Sequence, residues 1–428
     1  MDQPQTSDGT TTQTPTQRQS WWQRQLPPSP LARSLSIQSI LFAIGEGTFI
    51  TGSAVFFTQV VGLSAAQVGV GLTVAGIASF FFAVPAGKLA DRVGTKRIWA
   101  IGAGLTALLY LVWPLIHGFV AYLVMMVALE VVSQAGWSGR GAYTIDIFTR
   151  EERVQSQAFM RAALNIGFTV GALIGGLALA TNSDDVVRAV PILTGLVLLA
   201  NTYWITRLPD PPAKAPAHAD DAVIKPAALK NRAFLALMTG DGVLGTNQVL
   251  LNIVIPLWLV EETDAPRVLL AWLFGTNTVM AVLLQVAAAR GIDSVARSLR
   301  ASYISAGFFV LSCAIVLVTH DTIGWLTIFL VWLGHVTVTG AELFQSAGHW
   351  GFMSELTDAD QRAEYQGAAH IGGTLGSVWA PALFTFLAME HGSLGWLTIA
   401  AIVVVSTLTM GPSARAAERY LAQHGSAS

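Results

Sequence analysis

From Leu31 onward the chain alternates long apolar runs with short polar breaks. The runs lie at roughly 35–60, 65–86, 98–116, 120–144, 158–180, 189–206, 233–259, 268–288, 300–318, 323–346, 367–389 and 394–412. Each approaches the ~20 apolar residues that a helix needs to cross the hydrocarbon core of a bilayer. The pattern therefore predicts an all-α polytopic membrane protein of twelve transmembrane helices. The longest polar break, Arg207–Arg232, contains Pro209-Asp210-Pro211-Pro212 and scattered Lys. Such a segment reads as a linker, here at 207–232, between six-helix halves at 31–206 and 233–413. Residues 1–30, rich in Gln, Thr, Ser and Pro, read as a disordered cytoplasmic tail, and 414–428 as a second cytoplasmic tail. The first 30 residues lack the basic-then-apolar layout of a cleaved signal, so the first span is expected to stay in the protein.

Composition narrows the class. With 53% hydrophobic and 12% charged residues, the chain does not read as the two or three soluble domains that 428 residues would otherwise suggest. A net charge of −2 argues against a nucleic-acid partner, and a single cysteine, Cys313, leaves no disulfide framework and no cysteine metal site. The distribution of charge says more than its sum. With the N-terminus inside, only Arg188 and Arg267 of the 24 Lys and Arg fall outside, while Arg140 and Arg161 sit at or within the membrane boundary. The positive-inside rule then predicts a multi-pass protein of the cytoplasmic (inner or plasma) membrane with both termini cytoplasmic.

One polar break carries a motif. Between the second and third runs lies Gly87-Lys88-Leu89-Ala90-Asp91-Arg92-Val93-Gly94-Thr95-Lys96-Arg97, where two glycines permit tight turning and four cations surround one acid. Gly87, Leu89, Asp91, Arg92, Gly94, Lys96 and Arg97 match the loop that joins the second and third spans in the major facilitator superfamily, which this stretch resembles. Thr95 stands where that pattern has another base. The resemblance implies two pseudo-symmetric six-helix halves around a central site, rocking in alternating access. The halves echo each other accordingly. Gly45-Glu46-Gly47 is answered by Gly240-Asp241-Gly242, Asp91 by Asp293, and Gly167-x3-Gly171-x3-Gly175 by Gly372-x3-Gly376-x3-Ala380. Asp91, at a helix end, is expected to pair with Arg140 or with the positive N-terminus of a neighbouring helix. The resemblance implies that this pairing holds an inner gate closed; the alternative is an orientation signal only.

Ionisable groups inside a membrane are costly unless paired or hydrated, so each is a candidate site residue. Glu46, Glu130, Asp241 and Glu342 fall one each in the first, fourth, seventh and tenth runs. In the superfamily these spans line the cavity, so the resemblance implies one acid per wall. Helical spacing places Asp241, Gln248 and Asn252 on one face, Glu130 and Gln134 with Trp137 on another, and His335, Glu342 and His349 along a third. Arg161 and Asn165 share a face of the fifth run, from which Arg161 is a countercharge for Glu46 or Glu130. One or two acids would exchange a proton for substrate, or else form fixed salt bridges. Glu342 is expected near the cytoplasmic end, as gate or anchor. Members of the His335 stripe lie about 10 Å apart along the axis, too far to share one metal ion, so no metal is expected.

Gly167, Gly171, Gly175 and Gly176 read as helix-packing glycines. They also resemble the fifth-span motif of proton-coupled exporters, with Ala172 in place of its Pro. Trp137, towards a span centre, is placed to stack on a bulky ligand. With no Gly-Lys-Ser/Thr phosphate loop, ATP is not expected as energy source, and no cofactor is implied beyond the proton as coupling ion. No nucleophile–base constellation suggests an enzyme. The combined expectation is a proton-coupled exporter of a small, largely apolar compound, of the drug or antibiotic type, functioning as a monomer in the lipid bilayer. The alternatives are a proton-coupled importer of a small metabolite, a uniporter, or a non-transporting membrane receptor.

Overall fold

A computed structural model of the chain describes residues 27–181, 183–212, 227–266 and 269–424. The predicted N-terminal tail up to residue 26, the middle of the linker (213–226), Arg267 and residues 425–428 lie outside the described residues. The first half consists of α1 (Pro30–Val55), α2 (Ala65–Val93), α3 (Thr95–Val112), α4 (Phe119–Ile147), α5 (Arg150–Ala180) and α6 (Asp184–Arg207). The second half holds α7 (Arg232–Glu262), α8 (Leu269–Ala288), α9 (Val295–Leu317) and α10 (Trp325–Glu355). α11 opens with Arg362–Ser377, and the helical stretch Ala380–His424 then reverses direction at Gly392 (φ 48°). Its first part completes α11, and 393–424 is α12. Residues 414–424, predicted as tail, continue α12 as helix. No strand occurs among the described residues.

Local chemistry explains several boundaries. Ser29 caps α1, with Pro30 in its first turn, and Ser64 and Gln67 form a reciprocal capping box at the start of α2. The break between α2 and α3 is shorter than the polar pattern predicts. α2 runs through Gly87 to Val93, and Gly94 alone reverses the chain at φ 109°, a value that an L side chain rarely adopts. Gly87 is therefore not a turn residue, as the sequence suggested. A Cβ there would lie 2.2 Å from the carbonyl oxygen of Ala363 in α11.

The repeat is visible in the packing. α5 lies on α1 with Gly167, Gly171 and Gly175 pressed on the α1 backbone, where added Cβ atoms would come 2.5–2.6 Å from the carbonyls of Ile40, Ile44 and Thr48. α11 lies on α7 in the same way, through Gly372 against Met238 and Gly376 against Thr239. Gly176 meets nothing within 4 Å, so it is not a packing glycine. The far ends of α1 and α7 both pass through a π-helical turn, Phe56–Val60 and Leu250–Val254. Single π turns interrupt the regular ladder and recur at functional places in helices. The Asp293 echo is not kept: Asp293, two residues before α9, pairs with Arg297 in the first turn of that helix at 2.5 Å.

Candidate functional site

The halves are drawn together at the end that carries Asp91 and its basic neighbours, called here the basic end. Asp91 accepts the backbone N–H groups of Ala363 at 3.1 Å and Glu364 at 2.8 Å, the first turn of α11. Of its two expected partners, the helix N-terminus is the one realised. Arg140 instead donates to Ser39 Oγ at 2.9 Å and lies 5.1 Å from the Trp137 ring centroid. It belongs to the cavity and not to the gate. Lys88 lies 3.7 Å from Glu364, and Arg150–Glu355 and Arg362–Asp146 add cross-half ion pairs. Gly87 and Gly367 bring α2 and α11 into backbone contact. Leu89, Arg92 and Arg97 are exposed and make none of these contacts. Lys96 donates to Leu208 O at 2.5 Å and Asp210 Oδ1 at 2.9 Å, fastening the start of the linker. Beside Lys96, the exposed Asp210 carboxyl is held below its usual range, first by that hydrogen bond and then by the ammonium charge.

Beyond this closed end three recesses meet at Trp137. The first, about 440 Å³, is built by the N-terminal half alone. Phe42, Phe49, Tyr110 and Trp113 give it aromatic walls, and Glu46 and Glu130 are its acids. Tyr110 Oη donates to Glu46 at 3.2 Å. Phe42 meets Trp137 edge-on at 5.2 Å, and Trp137 stays 43% exposed to the cavity.

The second recess, about 380 Å³, is polar and shared by both halves. Arg161 of α5 donates to Glu342 of α10 at 3.4 Å, and Asn277 of α8 donates to the other carboxylate oxygen at 3.0 Å. Arg161 is therefore the countercharge of Glu342, and not of Glu46 or Glu130 as expected. Glu342 sits near the middle of α10, about 20 Å from the basic end by helix rise, so it is neither an end gate nor an anchor. Asp241 of α7 is 4% exposed; it takes a hydrogen bond from Gln345 at 3.1 Å and lies 2.6 Å from His349 Nδ1. Gln248 lines the same recess. Asn252, one turn further on, bonds back to Gln248 and lines none of the three recesses. Asn165 lines none of them either. His335 is fully buried against Phe274, away from the recesses, because the stripe it shares with Glu342 drifts towards α8.

The third recess, about 600 Å³, holds Glu130 on one side and His370 of α11 on the other. Gln134 accepts from Ser79 at 3.3 Å, and Ser79 lies 3.4 Å from His370 across the halves. Tyr110, His370, Glu364 and Gly367 were not singled out by sequence, and His349 was named only for its face of the tenth run and not as a partner of Asp241. The other four carried no spacing or motif that would have marked them. No group of three or more His, Cys, Asp or Glu suited to a metal ion occurs among the described residues.

Comparison with known proteins gives the same architecture. A family model described as Major Facilitator Superfamily matches residues 35–381. A Na(+), Li(+), K(+)/H(+) antiporter of Planococcus maritimus is 25% identical over 326 residues, spanning 69% of this chain and 75% of the relative. A bacterial homologue of the iron transporter ferroportin, crystallised in an outward-facing state, is similar with a TM-score of 0.70 at 13% identity, over 90% of this chain and 100% of that one. FucP, crystallised in the outward conformation, gives a TM-score of 0.66 at 15% identity, over 92% and 99%. At such identities the two structures speak for the fold alone.

Proposed function

The chain belongs to the Major Facilitator Superfamily and is a multi-pass membrane transporter, not an enzyme; from that premise we propose that it exports a small, largely apolar compound in exchange for protons. The observation that carries this reading is the first recess. It places two carboxylates, Glu46 and Glu130, within aromatic walls of about 440 Å³, a volume suited to one small organic molecule. Apolar walls reward burial of hydrocarbon, and the acids reward a positive charge or a bound proton.

In this reading the basic end is cytoplasmic, held there by its cations, and the closed gate leaves the recesses open to the outside. Compound arrives from the cytoplasm in the opposite state, and protons enter when the cavity faces outward. The protein acts as a monomer, since one chain holds both halves. A second reading, exchange of a monovalent metal ion for protons, has the Planococcus maritimus antiporter in its favour. Against it stands the recess itself, where two acids, the Arg140 guanidinium and a few hydroxyl or amide groups are set among aromatic and aliphatic side chains.

Accumulation of a panel of lipophilic dyes and antibiotics in overexpressing cells tests the proposal, with Asp91→Asn at matched protein level as reference. Lower accumulation with the wild type, abolished by a protonophore, is the expected result. Higher accumulation would make the protein an importer. Unchanged dyes with altered lithium or sodium tolerance would favour the metal-ion reading.

A further inference from the structure

The second recess holds two carboxylates whose partners differ in kind. Glu342 faces Arg161, a guanidinium that stays charged at any physiological pH, so this pair carries no net charge while it persists. Asp241 faces His349, the one side-chain type whose charge ordinarily changes near neutral pH. We propose that Asp241 and His349 together form the proton-carrying site of the transporter. The proposal rests on proton coupling and not on the direction of transport.

Geometry supports the assignment. Nδ1 of His349 is engaged by Asp241 at 2.6 Å, which leaves Nε2 as the nitrogen that gains or loses the proton. His349 lines both the second and the third recess and is 28% exposed at its side chain, so water reaches it, whereas Asp241 is buried behind it. On loading, a proton from water binds Nε2 and the pair passes from a net charge of −1 to zero; on unloading, Nε2 returns it to water on the other side. The other charged or titratable groups facing these recesses are Arg140 and Glu130 of α4, Arg161 of α5, Glu342 of α10 and His370 of α11. Arg161 and Glu342 compensate each other, and Arg140 donates to Ser39 Oγ, away from the Asp241–His349 pair. His370 faces Glu130 and Ser79 without a carboxylate at hydrogen-bond distance.

The site also sits where a charge change can move a helix. The backbone ladder of α7 breaks one turn after Asp241, at Gly245 and Thr246, before the π turn at Leu250–Val254. His349 and Gln345 attach α10 to α7 just before that break. Protonation alters this attachment, which lies within one turn of the break in the α7 ladder.

Two measurements on the purified full-length protein test the assignment. In weakly buffered detergent solution, tetraphenylphosphonium is added at saturation and proton release is read with a pH dye. The wild type is expected to release about one proton per bound cation, while His349→Gln and Asp241→Asn bind the cation and release less than about a tenth as much. Release by both variants at the wild-type level overturns the proposal. Acid-minus-alkaline infrared difference spectra of ring-labelled histidine protein need no transported compound. Here His349→Gln is expected to remove a labelled imidazolium band, and Asp241→Asn to shift it. Spectra that superimpose on the wild type overturn the proposal. If tetraphenylphosphonium does not bind at all, the reading of an apolar, cation-accepting recess fails, and the infrared spectra still decide the proton site.

Discussion

Asp91, near the end of α2, accepts the backbone N–H of Glu364 in the first turn of α11 at 2.8 Å, and so ties one half of the molecule to the other. The contact joins a full negative charge to the exposed donors and positive dipole end of a helix, the arrangement in which an anion is most favourable. Glu364 in turn accepts the N–H of Ala228 at 2.8 Å, which docks the end of the linker on the same spot.

Asp91→Asn keeps one acceptor oxygen but removes the charge and turns an amide group towards two N–H donors. A loss of about 1–2 kcal/mol from the closed state is expected, or about fivefold to thirtyfold in its population. Spin-label distances between the basic ends of α2 and α11 should broaden towards longer values, with normal folding by gel filtration. An unchanged distribution would show that the charge does not hold this end closed.

The backbone contact of α2 and α11 gives a second test. A Cβ on Gly367 would lie 2.3 Å from the carbonyl oxygen of Ala83, so Gly367→Val must push the helices apart. Overpacking of this kind costs about 1–3 kcal/mol, here borne by the closed state alone. Gly176→Val, where a Cβ meets nothing within 4 Å, should leave both stability and transport near the wild type. Equal effects of the two would refute the packing argument.

At the linker, the sign of pH dependence follows from Asp210, whose carboxyl is held low by Lys96. A depressed carboxyl contributes above its unfolded pKa and loses the contribution as pH falls through the folded one. Docking of the linker start should therefore be constant from neutral pH down to about pH 4 and weaken only below it. Limited proteolysis at Lys214, compared between wild type and Asp210→Asn, reads this out. The variant should be cut faster at neutral pH, and equal rates would mean that the bridge does not restrain the linker.

The spans and the motif were legible in the sequence because a bilayer imposes a length and a polarity on every crossing. That Glu46, Glu130, Asp241 and Glu342 face the cavity was implied by the family resemblance and not by helical periodicity, and each of them lines one of the recesses. Partners were another matter. Periodicity fixes which face a side chain occupies but not which helix stands opposite, so Arg161 was matched to acids of its own half when its carboxylate is Glu342. The same limit hid Tyr110 beside Glu46 and His349 beside Asp241. Gly87 and Gly176 show it for packing: one glycine read as a turn is a helix contact, and one read as a contact faces open space.

The Arg161–Glu342 pair joins the halves at mid-membrane, and its role is separable from its fold by a double-mutant cycle. Arg161→Gln leaves the nearly buried Glu342 carboxylate with Asn277 as its remaining described partner, at 3.0 Å. Removing one member of a fully buried pair costs about 3–5 kcal/mol. Because the Arg161 side chain is 41% exposed, solvent screening reduces the expectation to about 1–2 kcal/mol. Glu342→Gln should cost less, since the exposed guanidinium retains water. If the pair is a unit, the double variant should be more stable than the two single losses added together, by about 0.5–1 kcal/mol. Thermal unfolding in one detergent measures all four proteins, and strictly additive losses would mean that the two side chains are neighbours without an ion pair. Transport then sharpens the test. A pair that must separate as the halves rock slows exchange when strong, so the double variant should exchange substrate at least as fast as the wild type despite its lower stability.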